Sequence, residues 1–178
     1  MMTRKATRTF YLLSFCLLTM ISCTKDSTPK DPVDTLPPIT QTGENTFACL
    51  INGKPFFSSS DRRASYTFAG GAYTFGVSGS RYDDFGLRTV SVQGIDVEPV
   101  IKGTYLLESE VSGNFSGLYG IGGGLVLDAV SADASPGLLT ITRFDLEEFI
   151  VSGTFEFTAI SEQGEEYHIT HGRFDLKF

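Results

Sequence analysis

Three carboxylates recur in a pattern that could support acid–base chemistry. Arg143-Phe144-Asp145 returns as Arg173-Phe174-Asp175, and Gly153-Thr154-Phe155-Glu156-Phe157 echoes Gly172-Arg173-Phe174-Asp175-Leu176. Asp145, Glu156 and Asp175 are therefore candidates for a carboxylate cluster in a binding site. Paired carboxylates do acid–base work only at a definite separation in a cleft. The competing reading is structural: similar strand chemistry, with outward Arg and Asp pairing across strands for about a few tenths of a kcal/mol.

The other reactive residue types are sparse. His168 and His171 follow Glu165-Glu166. Three apart on a strand, they face opposite sides unless a bulge lies between them. No metal site is assigned to them. Cys49 shares an alternating face with Phe47 and Ile51, which reads as a buried, inert thiol. A catalytic cysteine needs a placed histidine, and both histidines are far away in sequence. Residues 117–124 (GLYGIGGG) lack the lysine and Ser/Thr of a phosphate loop. They read as a flexible loop or a tight bend at a sheet edge, with Tyr119 as a binding candidate. There is no nucleophile elbow and no metal-hydrolase motif. The reading therefore names no catalytic residue, no cofactor and no metal, and the chain is expected not to be an enzyme.

The elements that must position these residues have a period of two. Residues 47–51 (FACLI) lead into Asn52-Gly53, a hairpin signal because both residues tolerate positive φ. Residues 65–77 (SYTFAGGAYTFGV) read as a second hairpin turning at Gly70-Gly71. Further strands are expected at 85–94, 103–107, 118–119, 125–127, 138–144 and 150–159. In the last of these, Phe155, Phe157 and Ala159 face one way and Thr154, Glu156 and Thr158 the other. Residues 167–178 form a final strand whose phase slips near His171-Gly172, as a bulge would cause. No stretch has a convincing helical period. The expectation is an all-β fold: a single antiparallel β-sandwich or barrel domain over residues 45–178. Most of the fifteen phenylalanines belong to its core.

The chain before residue 45 differs in kind. Arg4, Lys5 and Arg8 precede an uncharged apolar run at 10–21 (FYLLSFCLLTMI). That is the order of an export signal, and the run is too short to span a bilayer as a helix. Residues 24–44 carry Pro29, Pro32, Pro37 and Pro38 among threonines and charges. Such a segment cannot bury enough surface to offset its ordering entropy, so a disordered, semi-rigid stalk is expected. Without Arg4, Lys5 and Arg8, eleven Lys and Arg face twenty-one Asp and Glu. This acidic balance argues against a nucleic-acid partner and against direct attraction to anionic lipid. Cys16 and Cys23 lie in or beside the signal, so no internal disulfide is expected.

Met20-Ile21-Ser22-Cys23 resembles the lipobox of bacterial lipoproteins. The resemblance implies a signal peptide over 1–22, cleavage before Cys23, diacylglycerol on its thiol, and acylation, such as palmitate, of the new amino terminus. Several chains would anchor the protein stably, because one alone binds marginally. Lys25-Asp26 resembles the export signal of surface lipoproteins of Bacteroidota-like bacteria. Residues 47–56 (FACLINGKPF), 150–159 (IVSGTFEFTA) and 169–178 (ITHGRFDLKF) are similar to uncharacterised lipoproteins of such bacteria. The location implied is the cell envelope, at the outer membrane, with the domain facing the periplasm or the exterior. The expected function is a non-catalytic domain binding an envelope ligand or protein partner. The alternatives are a small envelope hydrolase and a purely structural envelope component.

Overall fold

Alternating apolar residues shape the strands, and glycine and asparagine turn them. The computed structural model describes residues 31–59, 61–84, 86–122, 129–131 and 136–178. The signal segment, Cys23, the strand expected at 125–127, and Gly123 and Gly124 lie outside the described residues.

Strands β1 (Thr46–Ile51) and β2 (Lys54–Phe57) form the first hairpin. Asn52 and Gly53 turn it with φ of 49° and 74°, the left-handed pair that matches strand twist. Strands β3 (Asp61–Ala69) and β4 (Ala72–Asp83) turn at Gly70-Gly71, as expected, and β5 (Gly86–Val97) pairs back along β4. Strands β6 (Gly103–Leu107), β7 (Phe115–Ile121) and β8 (Ala129–Ser131) follow. The chain closes with β9 (Gly137–Asp145), β10 (Ile150–Ser161) and β11 (Glu166–Lys177). The one helical element among the described residues is a 3₁₀ turn, Pro32–Thr35.

All strands belong to one sheet, ordered β2-β1-β11-β10-β9-β6-β7-β5-β4-β3, with β8 paired to β10 and β7. Every pairing is antiparallel except the single β6–β7 contact. The all-β expectation holds. β8 links β7 to β10 and so completes a small circuit with β9 and β6, but among the described residues neither a closed barrel of the whole sheet nor a second sheet is shown.

One core serves the whole sheet. Phe47, Cys49, Ile51 and Phe56 from one end of the strand order share it with Phe75, Val77, Val90 and Val92 from the other. The sheet must roll to bring them together. Gly79 of β4 marks the closest approach: a Cβ there would lie 2.4 Å from the Phe47 ring of β1. Ser58 ties the seam, with its amide on Phe47 O at 3.1 Å and its hydroxyl accepting from Ser80 N at 3.1 Å.

The glycine run was expected as a loop or bend, but residues 117–121 lie in β7 and only Gly122, with φ 104°, forms a bend among its described residues. A Cβ at Gly117 would sit 2.6 Å from ring atoms of Phe157. The glycine thus makes room for a buried ring inside the sheet. The bulge expected near His171 is present. Register on β10 slips between Phe155 and Phe157, opposite Gly172 and Ile169, and His171 has φ 53°.

The stretch expected as a disordered stalk differs from residue 31 onward, where it forms a strap across the outer face of β1 and β11. Leu36 and Val33 cover Ala48 and Leu50 in a second, small apolar cluster. Arg173 Nη1 donates to Pro37 O at 3.0 Å, and Arg143 Nη1 to Gln41 O at 2.6 Å. The prolines restrict the unfolded strap, so ordering it costs less than for an ordinary loop.

Candidate functional site

The charged centre of the molecule lies at one open end of the roll. On β4 the inward positions Phe75, Val77 and Gly79 continue into Arg81 and Asp83. On β5, Val92 and Val90 continue into Arg88. Arg81 and Arg88 are register partners, so two guanidiniums stand directly opposite each other on the inner face. Like charges so placed repel. Asp83 Oδ2 lies between them, accepting from Arg81 Nη2 at 3.0 Å and from Arg88 Nη2. Both guanidiniums also sit over the Phe56 ring, 5.1 Å and 6.0 Å from its centroid, which adds cation–π attraction. Arg81 Nε is buried, with no hydrogen-bond partner among the described residues.

These groups face a mouth of about 450 Å³, lined by Ile51, Asn52, Lys54, Pro55, Phe56, Arg81, Arg88, Tyr119, Ile121 and Tyr167. Among the described residues, the lining holds three cations and no carboxylate. Asp83 stands behind it, and Glu165 accepts from the Tyr167 hydroxyl at 2.8 Å. Tyr119 packs on Tyr167 with ring centroids 4.9 Å apart. Burial pushes the Tyr119 phenol above its ordinary pKa, against the lowering effect of its hydrogen bond with Arg88. It therefore remains a neutral hydroxyl.

Of the four binding candidates within the described residues, only Tyr119 lies in this mouth. Asp175 is 1% exposed and anchors the strap. It accepts from Thr40 Oγ1 (2.7 Å), Thr42 N (3.0 Å), Gly43 N (2.8 Å), Glu44 N (3.1 Å) and Ser152 Oγ (2.6 Å). Burial pushes its carboxyl up, but the bonds from Ser152, Thr40 and the Glu44 and Gly43 amides outweigh burial and hold it at about 2. Asp145 caps the β9–β10 turn. The Glu148 amide and Arg143 lower its pKa, with Glu147 N also bound. Its arginine partner is on its own strand, two residues back.

Glu156 is exposed on the outer face of β10, between two shallow depressions of about 310 and 300 Å³. Register puts Ile150 opposite Asp145, Ser152 opposite Asp175, and Glu156 opposite Leu138. The three carboxylates are thus spread along β10 and do not converge. His168 and His171 are both exposed, and His168 Nδ1 lies 3.1 Å from Thr158 Oγ1. Among the described residues, no three His, Cys, Asp or Glu side chains are grouped to hold a metal ion.

Cys49 is fully buried. Burial raises its thiol pKa far above the ordinary value, against the smaller lowering effect of Arg81 and Arg88. It is expected to resist a thiol reagent in the native protein and to react fully in denaturant. Native reactivity at the rate of an exposed thiol would contradict its placement.

Sequence reasoning missed Lys54, Arg81, Asp83, Arg88 and Tyr167. The usable signal was arginine at inward positions of two adjacent strands. Compared with family models, with curated proteins and with solved structures, the chain matches none.

Proposed function

We propose that this protein is a lipid-anchored envelope domain that binds a small molecule at the open end of its rolled sheet, without chemistry on it. The observation that carries this reading is the mouth itself: paired arginines at inward positions, opposite each other, in a chain that is otherwise acidic. Opposed like charges cost stability. Local rules are broken in this way mainly at functional sites. The volume is that of an ordinary small-ligand pocket.

A hydrolase would also bring ionisable groups together in a pocket. Here the converging groups are two permanent cations and a carboxylate held between them. The buried Cys49 and the outward histidines supply neither nucleophile nor base to the mouth. We read the rolled sheet as barrel-like, with the mouth as one end.

The anchor follows from the lipobox resemblance, with Cys23 as the lipidated residue and the outer membrane as the membrane partner. Seven residues separate Cys23 from Asp31. With the strap docked, they reach at most about 30 Å. The domain would then sit close above the bilayer instead of on a long stalk.

Intact mass of the membrane-extracted protein tests both parts. Denatured, the chain is expected to begin at Cys23 and carry diacylglycerol and acyl mass, which Cys23→Ser abolishes. Sprayed natively, it is expected to retain a small-molecule mass that is reduced in Arg81→Gln. An unmodified chain would overturn the anchor. A native mass equal to the denatured mass would count against the ligand.

A further inference from the structure

We infer that the ligand is a small organic anion with an apolar body, held by its anionic oxygens against Arg81 and Lys54. This rests on the reading of the mouth as a ligand site and gives that ligand its chemistry.

Charge excludes the other classes first. Lys54, Arg81 and Arg88 line the mouth with no carboxylate among the described lining residues, so a cationic ligand would be repelled. One carboxylate oxygen, Asp83 Oδ2, is shared by both guanidiniums, and Lys54 adds a further cation to the lining. A neutral, hydroxyl-rich ligand needs mixed donors and acceptors, and among the described residues Asn52 is the only side-chain amide on the lining. A long polyanion is disfavoured by the net charge of the whole chain, −7.

The geometry then favours anionic oxygens. A guanidinium presents a planar fork that matches carboxylate and phosphate. Arg81 spends Nη2 on Asp83 and Nη1 on Pro55 O at a long 3.4 Å. Its Nε, buried and without a partner among the described residues, shares an edge with Nη2 and with it forms the side-on fork. The rest of the wall is apolar or aromatic: Ile51, Phe56, Tyr119, Ile121 and Tyr167. An inorganic anion would leave that wall uncovered, whereas a ring or alkyl body would fill it.

Calorimetry on the full chain carrying Cys23→Ser tests this with three probes: phenylacetate, phenyl phosphate and the neutral phenethyl alcohol. At least one anion is expected to bind roughly tenfold more tightly than the alcohol, the change that one charged hydrogen bond confers. The stronger of the two identifies carboxylate or phosphate as the preferred head. Arg81→Gln is expected to remove that preference and leave the alcohol unchanged. Arg81→Lys, which keeps charge without the fork, should fall between. Lys54→Gln, at an exposed position, should weaken the anion without affecting folding, and added salt should do the same. Equal binding of anion and alcohol, both lost when Tyr119→Ala alters the wall, would overturn the anionic ligand and leave the mouth as a site. Anion binding indifferent to Arg81 and Lys54 would overturn the placement. No binding of any probe would count against both.

Discussion

Replacing Asp175 by alanine is expected to cost about 3 kcal/mol and to release the strap over residues 31–44. The carboxylate accepts five hydrogen bonds, three of them from consecutive backbone amides at Thr42, Gly43 and Glu44. Bonds to a charged group contribute about 1.5–3 kcal/mol each, but they are not additive, and the released donors can return to water. The loss is therefore larger than one bond and smaller than five. Hydrogen exchange at these three amides should change from protected to rapid, and the melting temperature should fall by roughly 10 °C. Retained protection would contradict the anchoring role.

The pH dependence follows from the same residue. Its folded pKa of about 2 lies below the ordinary value of 3.8, so its contribution is fully present above about pH 4. It is lost as pH falls towards 2. The strap should therefore loosen in that window in the native protein. In Asp175→Asn that acid-dependent component should be absent.

A side chain at Gly79 should produce the second large effect. Gly79→Val places atoms where the Phe47 ring and Ser58 already lie, 2.4 Å and 2.9 Å from the new Cβ. Phe47 cannot move aside, because it is 3% exposed and packs on Phe155 at 5.2 Å. Overpacking of this kind costs about 1–3 kcal/mol, and the upper end is expected where two strands far apart in the sheet order meet. The combination with Phe47→Leu should recover part of the loss. A double-mutant cycle should give a coupling of about 1 kcal/mol or more. Additive effects would show that β1 and β4 do not meet, and the roll would be wrong.

The legible parts of the fold were those with local signals. Asn52-Gly53 announced its hairpin because the turn needs two left-handed residues in a row. The alternation through Phe155, Phe157 and Ala159 announced a half-buried strand, and the slip at His171 announced its bulge. Features that depend on distant partners were not legible. The strap reads as disordered until Asp175, more than 130 residues away, supplies its acceptor. Gly117 reads as a loop residue until Phe157 is seen to fill its space. Asp83 shows no role until its two arginine partners are placed by the inward phase of β4 and β5. Asp145 and Asp175 carry the same local motif, but one caps a turn and the other is buried under the strap. Three-residue similarity does not encode that difference. Of the binding candidates, the mouth absorbed Tyr119 alone, because its neighbours come from five separate strands.

The most direct test of the mouth as the functional site is amide mapping by NMR. The full chain carrying Cys23→Ser would be titrated with a mixture of small anionic and neutral aromatic fragments. The expected result is saturable shifts concentrated at Ile51, Arg81, Arg88, Tyr119 and Tyr167, with the outer face of β10 and β11 unchanged. Shifts confined to Glu156, His168 and His171, or none at saturating fragment, would contradict the account and move the function away from the open end of the roll.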